Sequence, residues 1–427
     1  MNLAEVTAIG IGGMIGGGIF AVLGLAIATA GHAVALTLAA GGAIALLTGL
    51  SYAHLGLAFR DDGGSFTYIE KAFATTGIAG VAGWLLVAGY VGTLALYATA
   101  FGAYGATLVA GTGVSPMIAG GLSMAVLGGF LAVNLIGAKL SGGVELGVVA
   151  IKLAILAVFA TVGMIGLKAG HFTPLFDKGY VTSLAAVALI FVAYEGFELI
   201  PNAVDEMDKP ERTLKRALVL AILITTAIYI IVAIAAQGHL TPAQIQHDQE
   251  YVLAVAARPT LGEAGFMLIG LAALLSTASA INATLFGAAR LAMVMASEHA
   301  LPRIFSRRER GRPIPYVALI VLTGLSAAFT LGAGLSVISS FASATFLLIF
   351  AGVNFAAFRL SDRIGLNRFL PLAGAVLAAA GFAILMWHSW AHDRISFAAI
   401  LATYAVAGAI EAGLCWRRGA RKMQDAA

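Results

Sequence analysis

Long runs of apolar residues alternate along this chain with short polar tracts. Twelve of the runs reach the length of about 18 residues that lets a helix cross a bilayer. They lie at 4–29, 33–59, 77–110, 117–137, 143–167, 184–203, 217–236, 264–289, 314–331, 335–358, 369–387 and 397–416. The pattern predicts an all-α integral membrane protein with twelve transmembrane helices and no separate soluble domain, a single transmembrane unit over 1–427. The longest connection, 237–265, contains Thr241-Pro242, an N-cap followed by proline at the first helical position. Either a short helix over the mouth of the bundle or a solvated linker fits it.

Two of the runs are interrupted. The first carries Gly12, Gly13, Gly16, Gly17 and Gly18 within seven residues. Each glycine costs about 1 kcal/mol relative to alanine inside a helix, so the spacing predicts a break over 12–18. Lipid cannot satisfy freed backbone groups, and the break must therefore face protein or a water-filled cavity. The half-helix starting near Gly18 would aim its N–H groups and positive dipole end at a carboxylate, while carbonyls from Ile11 to Met14 suit a cation. The competing explanation is close helix packing, since Gly12 with Gly16 and Gly13 with Gly17 each satisfy small-xxx-small spacing. A dinucleotide fingerprint is excluded, because Ile15 stands where its third glycine would be and no strand precedes.

The sixth run holds Tyr194-Glu195-Gly196-Phe197-Glu198 and then Pro201. Two carboxylates in a span cost about 3 kcal/mol or more each unless they have a role, which marks a second discontinuity at Gly196. Glu198 is the expected cap for broken backbone and Glu195 the expected substrate-facing carboxylate; the competing explanation is a helix end at the interface. Interruptions five spans apart point to an inverted-repeat transporter with its site at the midplane. The repeats would be 1–167 and 184–358, with 369–416 as two appended helices.

The fifth run has one charge in its interior, Lys152, about 12 Å along the axis from the run's start and beyond comfortable snorkelling reach. Such a lysine either exchanges a proton within the physiological range or serves as a fixed structural cation, and the unwound carbonyls of the first span are its natural partners. On the eighth span Ser276 and Ser279 share a face and are assigned to the lining of the cation site. Other hydroxyls there are expected to bond their own helix.

Composition confirms the class: 60% of residues are hydrophobic and 11% charged, against about 25% charged in soluble domains. The net charge of +4 does not indicate nucleic acid, because the basic residues fall between apolar runs as orientation signals do. With the N-terminus inside, only Lys168, Lys178, Arg258 and Arg394 fall outside, which predicts a multi-pass protein of the cytoplasmic membrane with both termini in the cytoplasm. The single cysteine, Cys415, offers no disulfide or metal cluster. No nucleophile–base pair, H-E-x-x-H motif or phosphate loop is present, so an enzyme is not expected. Nor is the filter or charged ring of a channel visible.

The stretch Gly10-Ile11-Gly12-Gly13-Met14-Ile15-Gly16-Gly17-Gly18-Ile19-Phe20 resembles the first span of the amino acid-polyamine-organocation (APC) transporter superfamily. Tyr194-Glu195-Gly196-Phe197-Glu198 with Lys209-Pro210-Glu211-Arg212, and Arg290 with Leu301-Pro302, extend the likeness over the whole chain. The resemblance implies a five-plus-five inverted repeat with broken helices 1 and 6, and alternating access. It implies an α-carboxylate on the N–H groups of Gly16, Gly17 and Gly18, and an α-amine on carbonyls of Met14, Val192 and Glu195. Gly196 and Glu198 would be structural and gating residues. Lys152 matches the lysine that proton-coupled members carry where sodium-coupled relatives bind an ion. The expected activity is amino acid import by proton symport, with no cofactor beyond the proton. Transport of polyamines or cationic amino acids, or amino acid exchange, is the alternative. The resemblance is incomplete: no basic lead precedes the first span, Val192 is small where some members place an aromatic gate, and Glu195 replaces an apolar residue.

Overall fold

Every regular element among the described residues of the computed structural model is helical; these are residues 1–60, 63–73, 76–111, 115–137, 142–167, 169–298, 300–308 and 314–424. Among the basic residues that bear on orientation, Lys139, Lys168, Arg310 and Arg312 lie outside the described residues, as do the side chains of Arg417, Arg418, Arg421 and Lys422 and that of Cys415. Nine helical segments among the described residues are long and apolar enough to cross a bilayer, and ten if the bent pair Tyr180–Leu189 and Phe191–Glu206 is one more. One of the nine, Leu3–Ala58, is a 56-residue stretch made of α1 (Leu3–Ala30) and α2 (Val34–Ala58), joined through a single 3-10 turn after Gly31, whose φ is 58°. Tyr316–Gly332 is apolar but only 17 residues long.

Local chemistry sets the ends of the helices. Asn2 and Glu5 form a reciprocal capping box at the start of α1. The helix expected after Thr241 exists as Pro242–His247, with Thr241 and Gln244 forming a second capping box. It is only six residues long and buries none of them. The segment that does pack into the bundle is the following stretch, where Val252 to Ala257 are at most 4% exposed. The eighth span therefore begins earlier than the apolar pattern suggests: the helix runs from Val252 to Ser297, with a kink at Gly262 (φ 63°, ψ −159°). A second departure is the ten-residue helix Gly64–Phe73 in what the apolar runs mark as a loop. Its Phe66, Ile69 and Ala72 recur at helical spacing on a buried face, a pattern too short to register as a membrane-length run.

With these included, the helices that follow α2 are α3 (Gly64–Phe73), α4 (Thr76–Ala110), α5 (Pro116–Ile136), α6 (Gly142–Gly163), α7 (Tyr180–Leu189), α8 (Pro210–His239), α9 (Pro242–His247), α10 (Val252–Ser297), α11 (Tyr316–Gly332), α12 (Leu335–Arg359), α13 (Ser361–Ile364), α14 (Phe369–His392) and α15 (Arg394–Gln424). α1 lies at the centre, packed on α4, α6, α7, α8 and α10. The α5, α6, α14 and α15 segments are mostly exposed at the periphery, as lipid-facing helices are. α6 divides cleanly: Ile151 and Val158 are 52% and 50% exposed, whereas Lys152 is 0% exposed and so points inward. Polar pairs join neighbouring helices at fixed register. Asn134 donates to Asn282 at 3.0 Å between α5 and α10, and Asn354 of α12 bridges Ser51 and Thr48 of α2 at 2.7 and 2.8 Å.

Candidate functional site

The interruption in the sixth span is complete. α7 ends at Ile190, a 3-10 turn covers Phe191–Tyr194, Glu195 is extended, and Gly196 takes φ 117° before a second 3-10 segment, Phe197–Glu206. The two halves meet at 45°. Side chains then satisfy the freed backbone, as burial away from water demands. The Leu189 carbonyl accepts from Ser339 at 2.9 Å and Ser343 at 2.7 Å, and the Ser343 hydroxyl accepts from Val192 N–H at 3.0 Å. Glu198 Oε2 accepts from Gly196 N–H at 2.7 Å, so this glutamate caps the break. Replacing Ser343 by alanine orphans the Val192 N–H. Expected is a loss of about 1–3 kcal/mol, read as a lowered thermal transition in detergent, with Ser343→Thr restoring most of it.

In α1 the interruption is smaller than the glycine run suggests. Only Ile15 leaves helical geometry (φ −79°, ψ 17°), and the helix resumes at once rather than near Gly18. The reason lies in packing, because the glycines admit neighbours that hold the run helical against its poor propensity. A side chain on Gly16 would meet Ala280, one on Gly17 the ring of Tyr97, and one on Gly18 the backbone of Ala193. Gly13 lies against the backbone of Gly196, so the two interruptions touch main chain to main chain. Close packing and a kink thus coexist in one segment.

Two side chains reach the α1 carbonyls around this kink. Lys152 Nζ donates to the Gly12 carbonyl at 3.0 Å, the partner type expected for it. The Tyr229 hydroxyl, from α8, lies 2.6 Å from the Met14 carbonyl and 2.9 Å from that of Ala193, bridging both broken helices; its single proton serves one of them at a time.

Glu195 is 2% exposed and points to α4, where Tyr97 donates to its Oε2 at 3.4 Å. Thr93, one turn earlier on α4, lies beside the same carboxylate. Val192 is 0% exposed, and its carbonyl accepts from Glu195 N–H at 3.1 Å. Ser276 faces α1 at Gly16, is fully buried, and its hydroxyl has no hydrogen-bond partner; Ser279 is half-buried. The expected residues Met14, Gly16, Gly17, Gly18, Lys152, Val192, Glu195, Gly196 and Glu198 thus lie along the linked contacts between the two interruptions, with Ser276 alongside on α10. Tyr97, Tyr229, Ser339 and Ser343 complete the cluster and carried no sequence signal, since lone hydroxyls on apolar helices are common.

Helices interrupted at a mutual contact, inside an apolar helical bundle with internal polar side chains, define a multi-pass membrane transporter. The chain belongs to the amino acid permease family, which it matches over residues 1–407. An uncharacterized protein of Methanocaldococcus jannaschii is 31% identical over 405 residues, covering 95% of this chain and 92% of that one. The inner membrane transport protein YbaT of Escherichia coli is 29% identical over 394 residues, 91% of this chain and 90% of its own. Among solved structures, a mutant manganese transporter from Eremococcus coleocola superposes with TM-score 0.60 at 12% identity, covering 97% of this chain and 92% of that one, a likeness of fold. The family is one of permeases and YbaT is a transport protein, so the chain is a transporter and not an enzyme.

Proposed function

We propose that this permease imports an amino acid across the cytoplasmic membrane together with a proton, by alternating access about the paired interruptions. The observation that carries the coupling is Lys152: fully buried on the inner face of a peripheral helix, with its ammonium on the Gly12 carbonyl. Protonated, it ties α6 to α1 next to the kink; neutral, it has less hold on that carbonyl, so a proton biases which face opens. Ser276, whose hydroxyl is unpartnered, and Ser279 belong to the same proton-coupling region. In this reading the substrate α-carboxylate is received by N–H groups of Gly16, Gly17 and Gly18, just after the kink at Ile15, as α1 opens there during the transport cycle. Its α-amine reaches the carbonyls of Met14, Val192 and Glu195; the Met14 carbonyl, with two lone pairs, can serve Tyr229 and an ammonium together.

The same reading divides the chain into twelve spans. α1 and α2 count separately, the bent pair counts as one, and Tyr316–Gly332 crosses as a short helix. Spans in 1–167 and 184–358 are inverted repeats, 369–416 adds two helices, and both termini lie in the cytoplasm.

The test is uptake into proteoliposomes. Acid outside is expected to drive saturable accumulation of an amino acid, abolished by a protonophore and unchanged when sodium is replaced by choline. Sodium-dependent accumulation, or linear conductance without saturation, would overturn the reading.

A further inference from the structure

Glu195 is the one acidic side chain in the cluster that the broken backbone does not use. The Gly196 N–H goes to Glu198, and the N–H of Glu195 itself goes to the Val192 carbonyl. Its carboxylate is turned the other way, toward α4, 2% exposed and in no ion pair among the described residues. What it receives is one long hydrogen bond, from Tyr97 at 3.4 Å. Thr93, 0% exposed, places its hydroxyl beside the same carboxylate as a second, weak donor. A buried carboxylate with donors so few and so long is under-satisfied, and a buried anion without a cation is costly.

The position of the pair indicates what completes it. The ring of Tyr97 packs over Gly17, while its hydroxyl touches Glu195. Tyr97 therefore touches both the glycine end of α1 and the carboxylate. Charge leads the same way. Glu195 and Glu198 stand against the single ammonium of Lys152, which a backbone carbonyl of α1 already holds. A zwitterion adds no net charge to that group, whereas a cationic amino acid adds one positive charge.

We infer that the substrate is an α-amino acid with a cationic side chain, whose ammonium or guanidinium is received by Glu195 with Tyr97 and Thr93. This rests on the amino acid transport reading above and adds the substrate class to it. The sequence offers Glu195 as a carboxylate that could face substrate, with cationic amino acids as an alternative cargo; the structure supplies the direction of its side chain and its two hydroxyl neighbours.

Equilibrium binding to the purified protein in detergent tests this without a gradient, so the result is readable whether or not transport is proton-driven. Displacement of labelled L-lysine by L-lysine, L-arginine and L-leucine is expected to favour both basic ligands over leucine by about tenfold or more. Glu195→Gln is expected to remove that advantage, Glu195→Asp to retain part of it, and Tyr97→Phe to reduce it. Leucine binding as well as lysine to the unaltered protein would overturn the inference, as would a lysine preference that survives in Glu195→Gln. Should Glu195→Gln fail to insert, the unaltered protein's own preference together with Tyr97→Phe decides the matter. Acid-driven uptake of neutral amino acids with no preference for charge would leave the transport reading standing and remove this one.

Discussion

Lys152→Ala is expected to abolish accumulation driven by acid outside, while substrate still binds at the glycine end of α1. The lysine is fully buried and donates to the Gly12 carbonyl at 3.0 Å, three residues before the kink at Ile15. Without it, nothing titratable remains at that carbonyl, and the proton gradient loses its hold on the contact between α6 and α1. A ligand or ion shifts a conformational equilibrium only through different free energies of interaction with the two states. Removing the proton-binding group therefore removes the bias, leaving downhill exchange of substrate. Lys152→Met separates coupling from packing, because it keeps an unbranched stem of similar length. Accumulation should be lost in both variants, with less thermal destabilisation in Met than in Ala. If Lys152→Ala still concentrates substrate under an acid-outside gradient, the coupling group lies elsewhere, and Glu198, whose Oε1 lacks a hydrogen-bond partner, is the next candidate.

Gly196→Ala is expected to abolish binding and to destabilise the protein severely. Gly196 has φ 117°, a conformation that a side chain strains by about 1–3 kcal/mol. An added Cβ would also stand 2.6 Å from the Gly13 carbonyl carbon and 2.8 Å from Met14 N, neither of which can rotate away. Overpacking adds about 1–3 kcal/mol more. The two interruptions would be forced apart at their shared contact, taking the Gly196 N–H from Glu198. Ligand-induced thermal stabilisation checks the outcome: the variant should unfold at lower temperature and show no shift with substrate. Gly128→Ala is the control, since nothing lies within 4 Å of a Cβ there. A variant at Gly196 that binds substrate normally would show that the backbone contact with Gly13 has no part in the site.

What the sequence by itself determined follows from solvent. Runs such as 77–110 and 335–358 can bury their apolar surface only as helices in lipid, and the helices Thr76–Ala110 and Leu335–Arg359 follow them closely. A carboxylate or lysine inside such a run is costly enough to announce itself, which is why Lys152, Glu195 and Glu198 were legible, as was the interruption at Gly196. Helix propensity was the weaker guide. The glycines of α1 read as a seven-residue gap, yet contacts with Ala280, Tyr97 and Ala193 keep all but Ile15 helical, because packing from distant helices outweighs a local cost of about 1 kcal/mol per residue. Tyr97, Tyr229, Ser339 and Ser343 belong to the site only because α4, α8 and α12 bring them there. A hydroxyl costs little in an apolar helix that can satisfy it locally, so its partner is fixed by three-dimensional proximity alone. The same holds for the direction of Glu195, which separates its role from that of Glu198 three residues on.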